Sequence, residues 1–433
     1  MSDVTADVVV IGAGPAGIAA AVRIAEAGRR AVVLDEGANV GGNIWRHRAG
    51  DTVPAEARRW LTRLARSGAT VFTGASVVDA RMTGASEFLV TAERAGAACR
   101  VRASSIVLAT GARERFLPFP GWTLPGVYGV GGAQALLKAG ASFAERRVVI
   151  AGSGPLLLPV AASLAGSGAR VLLVAEQASA RAVAAFAIGL WRRPKAVVQA
   201  AKYRAAFFRT PYKQGHWVTA ARGAGRLEEV TITNGRVTTT IACDVLCAAH
   251  GLVPNTELAR LLGCAVANGA VVVDDRQQSS QPGVFCVGEA TGIGGVDLAI
   301  VEGEIAGLAA AGSHVDVEVL KVRRAPLRMM ADRMEHAFAP RAELREVVTP
   351  DTIVCRCEDV AMQSIQRSWT PRQAKLYTRA GMGPCQGRVC GASLEFLLGW
   401  TADSVRVPSE PAQVSTILAG SSDTSAHPLH QGA

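Results

Sequence analysis

Residues 7–17 read DVVVIGAGPAG, and this stretch decides the fold. Asp7 to Ile11 is a short β-branched run of the kind buried in a parallel sheet. A G-x-G-x-x-G turn follows, made of Gly12, Gly14 and Gly17 with Ala13, Pro15 and Ala16 between them, and residues 18–28 (IAAAVRIAEAG) carry a helical pattern. Gly12 permits the tight turn, Gly14 lets a pyrophosphate approach the main chain, and Gly17 lets the helix pack closely on the strand. Free N–H groups and the helix dipole favour phosphates at such a helix start. A second strand, RAVVL over 30–34, ends in Asp35-Glu36. An acid there accepts hydrogen bonds from a ribose hydroxyl; Asp35, 23 residues beyond Gly12, has the better spacing and Glu36 is the reserve. With strand, turn, helix and acid in register, the stretch predicts a dinucleotide site rather than a chance cluster of glycines.

The chain of 433 residues is too long for one ordinary domain and predicts two or three. Its 49% hydrophobic and 19% charged residues supply a large core and exclude wholesale disorder. Mean hydropathy is +0.22, yet the longest apolar run, 182–191 (AVAAFAIGLW), is far short of the roughly 20 residues that cross a bilayer. No transmembrane segment is expected, and peripheral membrane association is left open. The first residues lack the basic stretch of a secretory signal, so the nine Cys are read as reduced thiols of a cytoplasmic protein. Of the net charge of +10, +8 falls between Gln177 and Gly215, where Arg181, Arg192, Arg193, Lys195, Lys202, Arg204, Arg209 and Lys213 meet no acid. No nucleic-acid module accompanies this helical, aromatic-bearing patch (Phe186, Trp191, Tyr203, Phe207, Phe208, Tyr212, Trp217). It reads equally as a solvated face or as a docking surface for a partner protein of the same complex.

Three further segments specify the dinucleotide. Residues 40–46 (VGGNIWR) follow the ribose acid, 106–113 (IVLATGAR) form a strand ending in Ala-Thr-Gly, and 282–289 (PGVFCVGE) form a strand ending in Gly288-Glu289. Here the sequence resembles the two-dinucleotide-binding-domain flavoproteins of the glutathione-reductase-like superfamily. That resemblance implies an α/β fold of two Rossmann-type domains and FAD as cofactor. Its site would comprise the first turn with Gly42, Asn43, Arg46, Thr110 and Gly111, and Gly288-Glu289 at the ribityl chain and pyrophosphate. Glu289 stands where the family usually has Asp. The helix starting near Val296 would point its N-terminus at the flavin, with Asp297 as an ordinary first-turn acid.

The layout recurs at 147–176. A strand (RVVIA) leads to Gly152-Ser153-Gly154-Pro155-Leu156-Leu157, a helix and a strand ending in Glu176. Gly152 and Gly154 keep the first two positions, but Leu157 replaces the third Gly, which pushes the helix away and narrows the space for a pyrophosphate. The domain is expected as structure. The motif argues against an intact NAD(P)H site and leaves another adenine nucleotide open.

No redox-active Cys pair of a disulfide reductase occurs before residue 355: Cys99, Cys243, Cys247, Cys264 and Cys286 are scattered in apolar contexts, Cys243 and Cys247 being expected on one strand face. Near the C-terminus Cys355 and Cys357 form C-x-C, and after 27 residues Cys385 and Cys390 form C-x4-C. Four thiolates suit a 2Fe-2S cluster or zinc; the tight first pair, and Gly381, Gly383 and Gly387 around Cys385, favour 2Fe-2S over zinc and over unligated thiols. The region resembles the bacterioferritin-associated ferredoxin type of 2Fe-2S domain, in the wider-spaced version fused to amine dehydrogenase flavoprotein subunits.

Taken together, DVVVIGAGPAG, GGNIWR, ATGARER, PFPGW, GSGPLLL, GLVPNTELARLLG, GEATGIGG and the cysteine region resemble the large subunit of hetero-oligomeric FAD-dependent amino-acid dehydrogenases, over roughly residues 5 to 400. That family includes opine oxidase, D-hydroxyproline and L-proline dehydrogenases and hydrogen cyanide synthase. The resemblance implies an electron-transfer subunit carrying FAD and a 2Fe-2S cluster. It would relay electrons from a D-amino-acid-oxidase-like catalytic subunit to an external acceptor. Further implications are a second flavin (FMN) at the subunit interface and a small ferredoxin-like subunit. The residues agree, since no Arg/Tyr constellation for binding an amino-acid carboxylate is evident and no catalytic residue is assigned. The alternatives are an NAD(P)H-dependent flavin reductase passing electrons to a ferredoxin-like acceptor, and a non-catalytic redox sensor. The expected organisation is a split FAD domain (1–115 and 245–312), an inserted nucleotide-like domain (116–244) with its basic insertion at 177–215, a helical linker (313–347), the cluster domain (348–405) and a disordered tail (406–433). His47 and His216 read as ordinary residues, and His250 as the histidine nearest the flavin.

Overall fold

The computed structural model describes residues 2–47, 53–84, 86–190, 193–313, 317–401 and 405–421. The chain forms two compact units, each assembled from separated stretches: 1–112, 254–328 and 404–433 in the first, 113–253 and 329–403 in the second.

The first unit is built on a mixed sheet. Its strands run in the order Thr70–Thr73, Ala31–Asp35, Ser2–Ile11, Ala97–Leu108, Glu87–Arg94, Ala75–Gly84, and Val284–Cys286 pairs in parallel with Ala97–Leu108. All five residues of Ala31–Asp35 are buried, which is why AVVLD reads as a continuous β-branched run rather than an alternating one. Two helices lie against each other in this unit. Pro15–Glu26 meets Val296–Ala310, whose Gly303 and Gly307 are so close to the carbonyls of Ala16 and Ala20 that any Cβ would collide with them. Residues 298–308 of the latter helix are all buried, so its glycines are packing devices.

In the second unit a five-stranded sheet runs Tyr212–Gln214, Arg170–Glu176, Arg147–Ser153, Val245–His250, Val127–Gly129. Val245–His250 pairs in parallel with Arg147–Ser153. The stretch 245–253 therefore belongs with the inserted domain, and not with the flavin domain as the boundary at 245 had it. The linker too resolves differently: one helix, Val317–Ala337, runs through the division between the units at Arg328. Residues 348–401 hold a hairpin (Ile353–Cys355 with Val360–Ala361) and two helices, Pro371–Thr378 and Cys390–Leu398. Thr370 and Gln373 start the first of these with a reciprocal capping box, and Val354, Val360, Ile365, Leu394 and Leu397 supply a small local core.

The tail is a correction. Val414–Ser421 is helical and docks on the first sheet. Ser409 N–H donates to the Val78 carbonyl at 2.8 Å, the Thr416 hydroxyl to Glu93 at 3.0 Å, and Arg100 to the Ala419 carbonyl at 3.3 Å. Thr416 is fully buried. These contacts offset the ordering entropy that a Ser/Ala/Gly composition alone leaves uncompensated. Residues 422–433 of the expected tail, and Trp191 and Arg192 of the basic insertion, lie outside the described residues.

Candidate functional site

The first glycine turn leaves the strand Ser2–Ile11 and enters the helix Pro15–Glu26. Gly12 sits at φ +103°, and a side chain there would strike the Ala109 carbonyl. A side chain on Gly17 would strike the Gly12 carbonyl. Gly14 differs: it is the helix N-cap, no side chain caps it, and nothing lies within 4 Å of where its Cβ would be. Pro15 fills the first helical position without adding a donor. Among the described residues the space beside Gly14 at the helix start is therefore clear, and a helix start without a side-chain cap is a place where backbone N–H groups can receive an anion.

Asp35 closes one side. Its carboxylate accepts from the Ala13 N–H and, at 2.8 Å, from the Gly37 N–H, while Glu36 is exposed. Gly41 N–H donates to the Ala13 carbonyl at 2.8 Å, and Gly42, at φ +59°, lies so close over the turn that its Cβ would be 2.9 Å from Gly14 Cα. Asn43 and Arg46, both exposed, bond each other at 2.9 Å. On the other side Thr110 and Gly111 are locked by Asn255: the Thr110 hydroxyl donates to the Asn255 carbonyl at 2.7 Å, Asn255 Nδ2 to the Thr110 carbonyl at 2.9 Å, and Asn255 N–H to the Gly111 carbonyl at 2.9 Å.

Gly288, at φ +67°, packs against Ala16 of the turn; its Cβ would be 2.9 Å from that side chain. Glu302, fully buried in the helix Val296–Ala310, accepts from the Gly288 N–H at 3.0 Å and the Thr291 hydroxyl at 3.1 Å, and pairs with Arg328. Burial raises the Glu302 carboxyl; Arg328 opposes that. Burial likewise raises Glu289, against the Gly295 amide. Of the sequence-predicted residues, Asp35, Gly42 and Gly288 are therefore brought against the first turn. Asn255, Glu302 and Arg328 were missed. Two acids, Glu302 and Glu304, inside the otherwise apolar IVEGEIAG were the visible signal for Glu302.

The second turn repeats the path, but its donors and its opening are taken up by its own unit. Gly152 again abuts a neighbouring carbonyl, that of Ala249. The helix, however, starts only at Leu157, beyond an N-cap residue already helical in conformation. Glu176 is fully buried and accepts from Gly154 N–H and Ala178 N–H, each at 2.8 Å, so the amide matching the most open part of the first turn is used internally. Burial pushes the Glu176 carboxyl up to about 7. A strap of the same unit crosses the turn: the Ser153 hydroxyl donates to the Phe338 carbonyl at 2.6 Å, and Gln177 Nε2 to Ser153 Oγ at 2.9 Å and to the Ala339 carbonyl at 3.0 Å. Arg341 N–H donates to Gln177 Oε1 at 3.1 Å, and the Phe338 side chain stands 3.9 Å from where a Gly154 Cβ would be. Leu157 is core, 1% exposed.

His250 ends the strand beside Ser153 in this second sheet. Burial, helped by Arg115, lowers it to about 4, and its Nδ1 has no hydrogen-bond partner. Cys243 and Cys247 enter different core clusters rather than one strand face; burial raises both thiols, Cys243 to about 12.

The C-terminal cysteines are unbridged and meet two by two: Cys355 hydrogen bonds with Cys390, and Cys357 with Cys385. The Cys390 thiol, helped by the Gly381 N–H at 3.4 Å, lowers Cys355 to about 6, and Cys390 rises in turn. Gly383 packs so tightly on Cys357 that a side chain would collide, and Gly381 and Gly387 sit at φ +80° and +79°. Among the described residues no three or more His, Cys, Asp or Glu side chains converge as a metal-ion site. The donor chemistry nevertheless fits a four-thiolate centre. All four sulfurs lie in one small fold, each pair is electrostatically coupled to the other, and glycines leave main-chain N–H groups near the sulfur atoms.

Comparison with known proteins places these features. The family model described as pyridine nucleotide-disulphide oxidoreductase matches residues 6–311. The A chain of the opine oxidase of Rhizobium meliloti is 31% identical over 95% of this chain and 84% of its own length. The HcnB component of the hydrogen cyanide synthase of Pseudomonas aeruginosa is 32% identical over 92% of each chain. Among solved structures, L-proline dehydrogenase from P. horikoshii superposes with a TM-score of 0.70 at 20% identity, covering 96% of this chain and 80% of that one; at that identity the likeness speaks for the fold. No helix among the described residues is long and apolar enough to cross a membrane.

Proposed function

We propose, from the premise that this chain belongs to the pyridine nucleotide-disulphide oxidoreductase family and, within it, with the opine oxidase and hydrogen cyanide synthase flavoprotein subunits, that it is the electron-transfer subunit of a multi-subunit amino-acid, opine or hydroxyproline dehydrogenase. It is an oxidoreductase acting on CH–NH or CH–NH2 donors as part of a complex. A D-amino-acid-oxidase-like partner subunit oxidises the substrate, and an external acceptor takes the electrons.

One observation carries this reading. The first glycine turn leaves the space beside Gly14 clear among the described residues, whereas the second, where the pyrophosphate of a nicotinamide nucleotide would bind, is crossed by its own chain. That contrast supports a bound dinucleotide at the first turn and disfavours NAD(P)H as the donor. The turn residues Gly12 to Gly17 would hold the FAD pyrophosphate, Asp35 its ribose, and Gly288-Glu289, fixed from behind by Glu302, its ribityl end. Cys355, Cys357, Cys385 and Cys390 would hold a 2Fe-2S cluster. Bound there, FAD would supply electron-pair acceptance with single-electron release, and the cluster single-electron transfer.

The purified chain tests this. It should release FAD on denaturation and carry about two irons, the content of one such cluster. It should turn over no amino acid by itself, and its flavin should stay oxidised on mixing with NADH. Rapid bleaching of the flavin by NADH would establish the reductase alternative instead; robust oxidation of an amino acid by the isolated chain would place the substrate site here.

A further inference from the structure

The basic insertion is a helical pair, Ala180–Gly189 and Pro194–Ala206, and neither helix has a buried residue. Helices of 10 and 13 residues gain most of their stability in proteins by burying an apolar face. Phe186 turns inward onto the Phe338 ring, but four apolar side chains point outward: Ile188 is 71% exposed, Val198 53%, Val197 44%, and Phe208, just beyond the second helix, 67%. Interleaved with them are the exposed Arg181, Lys195, Lys202 and Arg209. Among the described residues none of these four forms an ion pair, and Arg209 stacks on the Phe208 ring at 5.3 Å. From Gln177 to Gly215 the sequence holds no acid at all.

We propose that this helical pair seats the protein on an anionic phospholipid surface. Three features select that occupant. The positive field is unbroken over the whole segment, matching a surface that is negative everywhere rather than at selected points. Lysine is depleted from the cores of protein interfaces, yet Lys195 and Lys202 lie among the exposed aliphatic residues here; at a lipid surface such side chains cover apolar area with their stems and keep their charges at the headgroups. Both helices are far shorter than the roughly 20 residues of a membrane span, so they lie on the bilayer, with Ile188, Val197, Val198 and Phe208 entering the boundary of headgroups and acyl chains. This goes beyond the electron-transfer reading and does not depend on it.

The experiment is sedimentation of the full-length protein with extruded vesicles of phosphatidylcholine alone and of phosphatidylcholine mixed with phosphatidylglycerol. Binding is expected to the mixed vesicles only, and to fall about tenfold or more in high salt as the headgroup attraction is screened. Lys195→Glu with Lys202→Glu should abolish it, and Ile188→Asp with Phe208→Asp should weaken it about tenfold while salt sensitivity persists. Since these positions are exposed, circular dichroism and thermal melting should match the parent protein. Failure to sediment with mixed vesicles at low salt overturns the proposal. So does vesicle binding that survives both double substitutions, including the case in which they instead abolish assembly with a partner protein or binding to nucleic acid.

Discussion

The two glycine turns start from nearly the same sequence, GAGPAG and GSGPLL, and follow a similar main-chain path into a helix. What separates them is where their donors go. In the first, Asp35 takes the Ala13 N–H and leaves Gly14 open. In the second, the acid comes one residue later and is one methylene longer, so Glu176 reaches past Ser153 to the Gly154 N–H. Ser153 then turns to Phe338. A one-residue offset in the acid thus accompanies a change from an open turn to a buttressed one. The third glycine points the same way: Gly17 lets its helix touch the turn, while Leu157 fills that space with core.

Exchanging that residue should produce the largest effect. Gly17→Leu places a side chain on the Gly12 carbonyl, and should cost about 3 kcal/mol or more by overpacking and empty the flavin site; flavin content and thermal melting report both. The reverse exchange, Leu157→Gly, should destabilise the second unit by about 4 kcal/mol through the cavity it leaves without creating NADH binding, because the Phe338 strap stays. Calorimetric binding of NADH by Leu157→Gly would show that the leucine alone closed the site.

A pH series gives a smaller effect. Glu176 has its carboxyl raised from 4.5 to about 7 by burial, so the folded state holds a proton there that the unfolded chain gives up. Its contribution to stability is therefore most favourable below about pH 4.5 and declines as pH rises toward 7, by about 2–3 kcal/mol. His250, lowered to about 4, acts with the opposite sign below its ordinary value. Glu176→Gln removes only the first contribution and leaves that of His250 unopposed, so its melting temperature should climb relative to that of the parent as pH rises from 5 to 8. Parallel curves for the two proteins would mean that the carboxylate is not held as the structure has it. Smallest of all, Ser153→Ala deletes the hydroxyl under Phe338 and should cost about 1 kcal/mol, read as a lowered melting temperature with no gain in nucleotide affinity.

Much of this comparison was legible in the sequence. Both strand–turn–helix units, the acid at Asp35 and the misfit of Leu157 follow from period and spacing, because each depends on residues close in the chain. What closes the second turn did not, since Phe338–Arg341 lies more than 160 residues from it and carries no motif. The tail failed for a related reason: polar composition predicts no core, but Thr416 and Ser409 find their partners on strands more than 300 residues away. The boundary at 245 failed because Val245–His250 looks like any buried strand, and only its pairing with Arg147–Ser153 assigns it. His250 lies on that same strand. The four cysteines were legible as pairs in sequence, while the folded pairing joins the first to the last and the inner two to each other.

The first unit is threaded from three stretches of chain, and this imposes an order on its birth. A ribosome adding on the order of ten residues per second delivers residues 1–112 long before 284–286, so the Ile106–Leu108 end of the Ala97–Leu108 strand, beyond its pairing with Glu87–Arg94, emerges with one edge bare and waits on the order of tens of seconds for its neighbour. During that interval the second unit's first stretch, 113–253, is made in between. Nascent chains stalled before Val284 should therefore be the form most prone to chaperone capture, and release past Ser421 the step that seals the sheet.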